Sequence, residues 1–289
     1  MKINQENILV TGANGQLGSE IFKISKFYSS YNYFFESKNS LDITNFHLLN
    51  SYIRKNKIST VINCAAYTNV DEAETEHQIA NQINFKSVSK LAKICKENNI
   101  KLIHISTDFV FDGKKKSTYN ENDKTNPINV YGKTKLRGEN SILELGLKNS
   151  LIIRTSWLYS GEGDNFVNKL CENFKKFKQI NLPTDEVGSP TYATKLAENI
   201  LRIIPKIKNK IVEKYHYSDK GFCSRYEFGL AIAKFKNSET IILPKKTFTN
   251  SFRPKFSALN SDKIINKFSL NIFDWEYNLK EFLTKNTIK

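Results

Sequence analysis

The stretch that decides the fold is Ile8-Leu9-Val10-Thr11-Gly12-Ala13-Asn14-Gly15-Gln16-Leu17-Gly18. A short apolar run leads into a glycine-rich turn, and apolar residues at helical spacing, Leu17, Ile21 and Ile24, follow it. The glycines are spaced G-x-x-G-x-x-G rather than G-x-G-x-x-G. Strand, glycine turn and helix together predict a dinucleotide-binding turn, because glycine lets the backbone approach a phosphate and the helix N-terminus supplies N–H groups. The alternative is an ordinary strand–helix turn.

Further apolar runs alternate with helical patterns through the first half of the chain. They are the runs near Tyr33-Phe34-Phe35, at 60–66, at 101–105 and at 151–157. This alternation predicts an α/β fold with a doubly wound, Rossmann-like parallel sheet over residues 1–157. The alternation fades after Trp157. Residues 158–289 are predicted to form a second, smaller mixed α/β domain, mainly for the substrate and interleaved with the first.

Composition excludes several classes of protein. The chain has 289 residues and a net charge of +15, but its basic residues are mostly lysines spread along the chain, so we expect no nucleic-acid partner. No apolar run reaches the ~18 residues of a membrane span, and the N-terminus lacks a signal-peptide layout, so we expect a cytoplasmic protein with no membrane partner. The four cysteines are too widely spaced for a zinc or redox motif, and we expect no metal.

The second predicted strand ends at Glu36, roughly 20 residues past the glycine turn, where a carboxylate can accept a hydrogen bond from a ribose 2′-hydroxyl. Such an acid favours NAD. The neighbouring Ser37 and Lys38 can instead receive the 2′-phosphate of NADP, so both cofactors stay open. Asp42 either caps the helix that begins near Asn45 or lines an adenine pocket.

Two strand ends carry the next candidates. The run at 60–66 ends in small residues, Cys64, Ala65 and Ala66, which let a cofactor pass close to the backbone. The following strand ends near Thr107, whose hydroxyl suits either a hydrogen bond to a substrate carbonyl or a helix or turn cap. His104, inside that strand's apolar pattern, is predicted to be a hydrogen-bonded core residue.

Tyr131 and Lys135 lie four residues apart in a segment with a helical pattern from Val130 to about Leu145. At this spacing both side chains lie on one face of the helix. A nearby ammonium stabilises a phenolate and lowers its pKa, so the pair suits proton transfer to a carbinol oxygen. In a lysine-rich chain the alternative is a solvated helix face.

In order and spacing, these motifs resemble the extended short-chain dehydrogenase/reductases and, more narrowly, the dTDP-4-dehydrorhamnose reductase family. The resemblance covers nearly the whole chain. It is carried by the glycine turn, Leu41-Asp42-Ile43-Thr44 and residues 63–74, by Ser106-Thr107-Asp108 and residues 129–139, and by Arg154-Thr155-Ser156-Trp157, Gly188-Ser189-Pro190-Thr191 and Arg253-Pro254.

The resemblance implies an oxidoreductase that uses NADPH or NADH to reduce the 4-keto group of dTDP-4-dehydro-L-rhamnose, commonly as a homodimer. It implies a catalytic trio of Thr107, Tyr131 and Lys135. The implied substrate contacts are Val70, Thr107, Asp108 and Trp157. The implied cofactor contacts are Gly12, Asn14, Gly15, Gln16, Leu17, Asp42, Ile43, Ala65, Ala66, Tyr67, Thr68, Tyr131 and Lys135.

Three residues depart from the family pattern. Phe109 replaces a tyrosine after the Thr-Asp pair, Cys64 replaces an alanine, and Ala258 replaces an arginine after Ser257. The first removes a hydroxyl near the expected sugar, and the last removes a guanidinium that could bind a diphosphate or an interface. The alternative functions are reduction of another nucleotide 4-keto-6-deoxy sugar, and a non-catalytic role like that of a methionine adenosyltransferase regulatory subunit.

Overall fold

The computed structural model describes residues 5–247 and 253–285. Its strands are β1 (Glu6–Thr11), β2 (Tyr31–Glu36), β3 (Ile58–Asn63), β4 (Lys101–Thr107), β5 (Leu151–Thr155), β6 (Leu158–Tyr159), β7 (Gln179–Pro183), β8 (Val187–Gly188), β9 (Thr191–Tyr192), β10 (Glu213–His216), β11 (Cys223–Ser224) and β12 (Ile241–Lys245). Its α-helices are α1 (Gln16–Ser25), α2 (Phe46–Lys55), α3 (Val70–Ala73), α4 (His77–Asn81), α5 (Val88–Glu97), α6 (Val130–Leu145), α7 (Phe166–Phe174), α8 (Ala193–Ile203), α9 (Arg225–Lys236), α10 (Asp262–Phe268) and α11 (Trp275–Lys285).

Six strands form one parallel sheet in the order β10-β5-β4-β3-β1-β2. The chain starts in β1, moves outward to β2, and then crosses back to β3 and β4 on the other side. The order therefore reverses between β1 and β3, which confirms the doubly wound sheet predicted from the sequence. In such sheets ligands bind beyond the carboxyl ends of the strands, at the point of reversal.

Helices cover both faces of this sheet, because its central strands are apolar on both sides. One face packs against α1, α8 and α10 through a buried cluster that includes Ile21, Ile200 and Phe268. The other packs against α2, α5 and α6 through residues such as Leu49 and Leu91. Among the described residues, no helix combines the length and the apolarity needed to cross a membrane.

The second half of the chain contributes to the central sheet as well as to a smaller unit. β10 pairs with β5 as the sixth strand, and α8 packs against α1. The smaller unit contains α7, α9 and α11 with the parallel pair β7–β12 around its own apolar cluster. Of the two sequence ranges predicted as domains, residues 1–4, 248–252 and 286–289 lie outside the described residues.

The helical region before β4 is less regular than the sequence predicts. Instead of one long helix to about Asn98, α3 is separate, and α4 continues into α5 through a π-helical segment, Gln82–Ser87. The buried Asn84 lies in that segment, and its amide exchanges hydrogen bonds with the backbone N–H and carbonyl of Tyr67. The wider turn thus places a polar side chain against the loop that follows β3.

The four cysteines are free thiols. Cys95 and Cys223 are buried, whereas Cys64 and Cys171 are partly exposed. Burial raises the pKa of Cys64 to about 12, although the charge of Lys135 opposes the rise. The Cys64 thiol is therefore neutral at physiological pH.

Candidate active site

A cavity of about 650 Å³ lies beyond the carboxyl ends of β1, β3, β4 and β5. Two groups of predicted residues line it together. One group belongs to the glycine turn and the loops after β2 and β3: Gly12, Asn14, Gly15, Gln16, Leu17, Asp42, Ile43, Ala65, Ala66 and Thr68. The other group consists of the residues expected to act in catalysis or to contact the substrate: Thr107, Asp108, Tyr131, Lys135 and Trp157. One continuous space therefore joins the dinucleotide fingerprint to the candidate trio.

The glycine turn has the shape that a phosphate needs. Gly12 has φ of +68°, and a Cβ there would come within 2.7 Å of the Ala65 backbone nitrogen. A Cβ on Gly18 would come within 2.4 Å of the Gly12 carbonyl oxygen. Gly15 caps α1 without a side-chain hydrogen bond. The first N–H groups of α1 thus remain available to an anion, and the turn fits a dinucleotide diphosphate.

The loop after β2 places Ser37 and Lys38, rather than Glu36, at the cavity. Glu36 does not line the cavity; it accepts a hydrogen bond from the Tyr52 hydroxyl. Ser37 and Lys38 both line the cavity instead. The carboxylate expected at the ribose 2′-hydroxyl is thus turned away toward α2, and a hydroxyl and an ammonium take its place.

Asp42 is a cavity residue and not a helix cap. The cap of α2 is Asn45, whose side chain accepts a hydrogen bond from the Leu48 backbone N–H. Asp42 accepts one from the Thr44 N–H, which closes a local turn and leaves its carboxylate at the cavity wall. Of the two roles considered from sequence, the structure places Asp42 where it can border an adenine.

Close backbone packing holds α6 against the cavity. The Asn129 side chain caps the helix by accepting a hydrogen bond from the Gly132 N–H at 2.7 Å. A Cβ on Gly132 would lie 2.1 Å from the Phe109 carbonyl oxygen, and one on Gly138 would lie 2.4 Å from that of Asn84. The two glycines therefore let the helix approach both neighbours closely enough for Tyr131 to reach the cavity.

Lys135 is buried beneath the cavity floor, and its ammonium nitrogen donates a 2.6 Å hydrogen bond to the Ile105 carbonyl oxygen. Burial lowers the pKa of Lys135 to about 8, against the opposing pull of Glu139 and Cys64. A substantial fraction of Lys135 can therefore lose its proton near neutral pH, unlike an exposed lysine.

The pKa of Tyr131 shifts in the opposite direction to the one expected from the sequence. Burial raises the pKa of Tyr131 to about 12, with a hydrogen bond to Thr107 lowering it and the charge of Asp108 raising it further. Lys135 is not among the causes, so the expected lowering by the ammonium is absent in the protein alone. Desolvation of the phenolate is the largest cause of the shift. Tyr131 is therefore a protonated phenol, which is the form a proton donor needs.

Thr107 is a turn cap that also lines the cavity. Its hydroxyl accepts a hydrogen bond from the Phe109 N–H, so it caps the 3₁₀ turn Asp108–Val110. The same hydroxyl donates to Asp108 at 3.1 Å, and both side chains line the cavity. Burial raises the pKa of Asp108 to about 6.

Trp157 lines the cavity in an unusual conformation, with φ of +42°. A Cβ on Gly188 would lie 2.5 Å from its indole ring. The Arg225 guanidinium carbon lies 3.5 Å from the Trp157 ring centroid, a cation–π contact. The sequence analysis did not single out Arg225, because its partner is 68 positions earlier in the chain and no local pattern joins the two.

Not every predicted residue lines the cavity. Tyr67 points its hydroxyl at Glu72 and Glu76, and Val70 starts α3; neither contributes to the lining. Phe109 also stands outside it, with its ring edge-on to Tyr131 at 5.8 Å. Ala258 is fully buried, and its carbonyl accepts a hydrogen bond from the Tyr119 N–H. Neither of these two departures from the family pattern therefore lines the cavity.

Several lining residues were not predicted. Gly163 and Asp164, in the loop before α7, reach the cavity from the second half of the chain, where Ser160 also contacts Gln16. The other unpredicted lining residues are Gly18, Asn39, Leu41, Ile83, Ile105, Ser106, Thr155, Ser156 and Leu158. Most lie at the carboxyl end of a strand or in the segment that follows it, so the carboxyl-end rule locates them once the strand ends are known.

Comparison with known proteins agrees with this geometry. The family model for the RmlD substrate binding domain matches residues 6–288. A dTDP-4-dehydrorhamnose reductase of Aggregatibacter actinomycetemcomitans is 35% identical over 94% of this chain and 97% of its own. A dTDP-4-keto-6-deoxy-D-glucose reductase of Streptomyces niveus is 34% identical over 68% of each chain. The crystal structure of a dTDP-4-dehydrorhamnose reductase of Bacillus anthracis strain Ames in complex with NADP superposes with a TM-score of 0.90 at 35% identity, covering 97% of this chain and 99% of that one.

Proposed function

Because the chain belongs to the RmlD substrate binding domain family, we propose that it is an NADPH-dependent reductase of the 4-keto group of dTDP-4-dehydro-L-rhamnose. The observation that carries the proposal is the single cavity that joins the glycine turn to Thr107, Tyr131 and Lys135. Two relatives that match 94% and 97% of this chain are named for this reaction.

The cofactor follows from the residues at the two ends of the dinucleotide site. The N–H groups at the start of α1 would hold the diphosphate, and Ser37 and Lys38 would hold the 2′-phosphate. Small residues after β3, Ala65 and Ala66, leave room for the nicotinamide ribose. The bound nicotinamide supplies the hydride that reduces C4 of the sugar.

Side chains of the protein donate the proton to the C4 oxygen and stabilise the charges that develop during the reduction. Tyr131, protonated because burial raises its pKa, donates its proton to the oxygen that becomes the C4 hydroxyl. Thr107 hydrogen-bonds that oxygen and stabilises its growing charge. Lys135 lies one helical turn from Tyr131 and balances the negative charge left when the phenol loses its proton.

We assign residues 1–157 to dinucleotide binding and residues 158–289 mainly to the substrate. Support comes from Arg225 at the start of α9, whose guanidinium lies over the Trp157 ring that lines the cavity. The homodimer and the cytoplasmic location remain predictions, and light scattering after gel filtration would measure the former.

The test is to follow nicotinamide absorbance with purified protein, dTDP-4-dehydro-L-rhamnose and either NADPH or NADH. We expect turnover with preference for NADPH, and a loss of roughly 10²- to 10⁴-fold in kcat for Tyr131→Phe. Turnover that is absent with both cofactors, or unchanged in the Tyr131→Phe protein, overturns the proposal.

The name of one relative, a dTDP-4-keto-6-deoxy-D-glucose reductase, suggests a second candidate substrate. This relative shares 34% identity with this chain, and its substrate carries the same 4-keto group on a different stereoisomer. Assaying both sugars in parallel separates the two reactions. The non-catalytic alternative is not favoured, because the complete trio faces one cavity.

A further inference from the structure

A row of polar side chains runs through the centre of the sheet to Lys135. Thr11, Asn63 and His104 are register partners on the neighbouring strands β1, β3 and β4. All three side chains are buried, and His104 has no exposed surface. Parallel strands place register partners side by side on the same face, so these residues form one line across the sheet.

The hydrogen bonds along this row have a direction. The Thr11 hydroxyl donates to Asn63 Oδ1 at 2.7 Å, so the Asn63 amide turns its Nδ2 toward His104 Nδ1, at 3.0 Å. His104 Nδ1 therefore accepts. A neutral imidazole that accepts at Nδ1 carries its proton on Nε2. Burial and the charge of Lys135 hold the pKa of His104 well below its ordinary value, so the ring is neutral.

The protonated Nε2 faces the side-chain nitrogen of Lys135 at 3.5 Å. An ammonium has three donors and no acceptor, so it cannot accept a hydrogen bond from Nε2–H. A neutral amine can accept it while still donating to the Ile105 carbonyl. The tautomer with its proton on Nε2 therefore favours the amine form of Lys135 over the ammonium form.

We propose that His104 is a positioning residue for Lys135, and that its Nε2–H, set by Thr11 and Asn63, orients the lysine nitrogen and favours its amine form. The proposal rests on the proposed function for its catalytic meaning, because the balance between amine and ammonium decides how Lys135 supports Tyr131. It concerns only side chains of this protein and can be measured without cofactor or substrate.

Other groups also face Lys135 and act in known directions. Glu139, one turn later on α6, favours the ammonium, whereas the Cys64 sulfur after β3 would add to this only as a thiolate, and the thiol is neutral near pH 8. Tyr131 lies one turn earlier and is neutral at physiological pH. Desolvation and His104 therefore act together against Glu139, whose carboxylate stabilises the ammonium form of Lys135.

The experiment is a pH titration of lysine side chains by ¹³C NMR in the protein without cofactor, with the Lys135 signal assigned by its loss in Lys135→Met. We expect a Lys135 midpoint near pH 8. His104→Asn, whose amide is too short to reach Lys135, should raise the midpoint by about 0.5 to 1 pH unit, the size expected for one hydrogen bond. His104→Gln places an amide N–H near the position of Nε2 and should restore the original midpoint.

A second variant tests the direction of the row without touching His104. Thr11→Val removes the donor that orients Asn63, so the amide can turn and both histidine tautomers become available. The midpoint should rise by less than in His104→Asn. This variant also carries the test if His104→Asn does not fold. The control is His216→Asn, because His216 is equally buried but contacts Tyr119 and Arg154 instead of Lys135.

The outcomes separate this inference from the proposed function. A Lys135 midpoint that stays unchanged in folded His104→Asn and Thr11→Val proteins overturns the positioning role. So does a His216→Asn protein whose midpoint moves as far as that of His104→Asn. Absence of turnover with every nucleotide sugar would instead remove the proposed function and leave the NMR result standing. In an active enzyme, the basic limb of the kcat/KM profile, which reports groups of the free enzyme, should follow the NMR midpoint in each variant.

Discussion

The Glu139 carboxylate binds the Arg154 guanidinium at 2.6 Å while both side chains are almost completely buried. Arg154 Nε donates a further hydrogen bond to Glu139 Oε1 at 2.9 Å, and the Ser106 hydroxyl donates to the same oxygen. Glu139 is one turn after Lys135 on α6, and Arg154 is on β5. The pair therefore ties the helix that carries Tyr131 and Lys135 to the sheet beneath it.

Breaking this pair should destabilise the protein strongly. Glu139→Gln leaves the Arg154 charge buried and uncompensated, and we expect a loss of roughly 3–5 kcal/mol in the free energy of unfolding. Urea unfolding followed by circular dichroism measures it. The double variant Glu139→Met with Arg154→Met removes both charges and should be more stable than Glu139→Gln. A double variant that is less stable than the single one would contradict this view of the pair.

Lys135→Met should be less active than the native protein but more stable at neutral pH. The buried ammonium lowers stability below pH 8, because its pKa falls from 10.5 to about 8 on folding. At pH 7 the variant should gain on the order of 1–2 kcal/mol, less than the full shift because the hydrogen bond to Ile105 is lost. Between pH 8 and 10.5 the native protein releases the proton that the unfolded chain still holds, so native stability rises and the gap narrows. Calorimetry across this range would disprove the idea if the gap widened.

The choice of NADPH over NADH should depend on Lys38. Lys38→Ala removes a charge-assisted hydrogen bond to the 2′-phosphate, so KM for NADPH should rise about 10- to 100-fold while KM for NADH stays nearly constant. Steady-state kinetics with each cofactor measures the split. Lys26→Ala removes an exposed lysine at the far end of α1, and it controls for general attraction of an anion. Equal losses for both cofactors would show that Lys38 does not contact the 2′-phosphate.

The substrate end of the cavity should be sensitive to Gly188. In Gly188→Ala the new Cβ would lie 2.5 Å from the Trp157 ring, so the indole must move. We expect kcat/KM for the sugar nucleotide to fall about 10- to 100-fold through misplacement of the substrate. The Kd for NADPH, measured by its fluorescence, serves as an internal control and should hold within a factor of about two. A matching loss of NADPH affinity would place Trp157 in the cofactor site instead.

Protonation of Asp108 should cause kcat/KM to fall on the acidic side of its pH profile. Burial raises its pKa to about 6, so the carboxylate that can accept sugar hydroxyls exists above pH 6 and is lost as the pH falls through it. We expect kcat/KM, at saturating NADPH, to decline below about pH 6. Asp108→Asn should flatten this limb and lower the plateau about 10- to 100-fold. Asp185→Asn, a carboxylate bound to Thr247 away from the cavity, is the control. A limb that persists in Asp108→Asn assigns it to another group.

The sequence alone determined those features whose signals are local. The strand–glycine–helix turn is a contiguous pattern, and the structure places β1, Gly12 and α1 where it predicts. The bounds of α6 match the prediction because Asn129 caps one end and Gly146 adopts the left-handed conformation at the other. The helical spacing of Tyr131 and Lys135 predicts that both side chains lie on one face of the helix. The resemblance to the family assigned Thr107 to the same site.

Only the tertiary structure decided what depends on contacts between distant segments. It turned Glu36 toward Tyr52, stacked Arg225 on Trp157, and aligned His104 with Asn63 across two strands. The sequence also predicted the wrong direction for the pKa of Tyr131 in the protein alone. That value is set by how much water the fold excludes around the phenol, and burial is a property of the packed chain as a whole rather than of any five-residue motif.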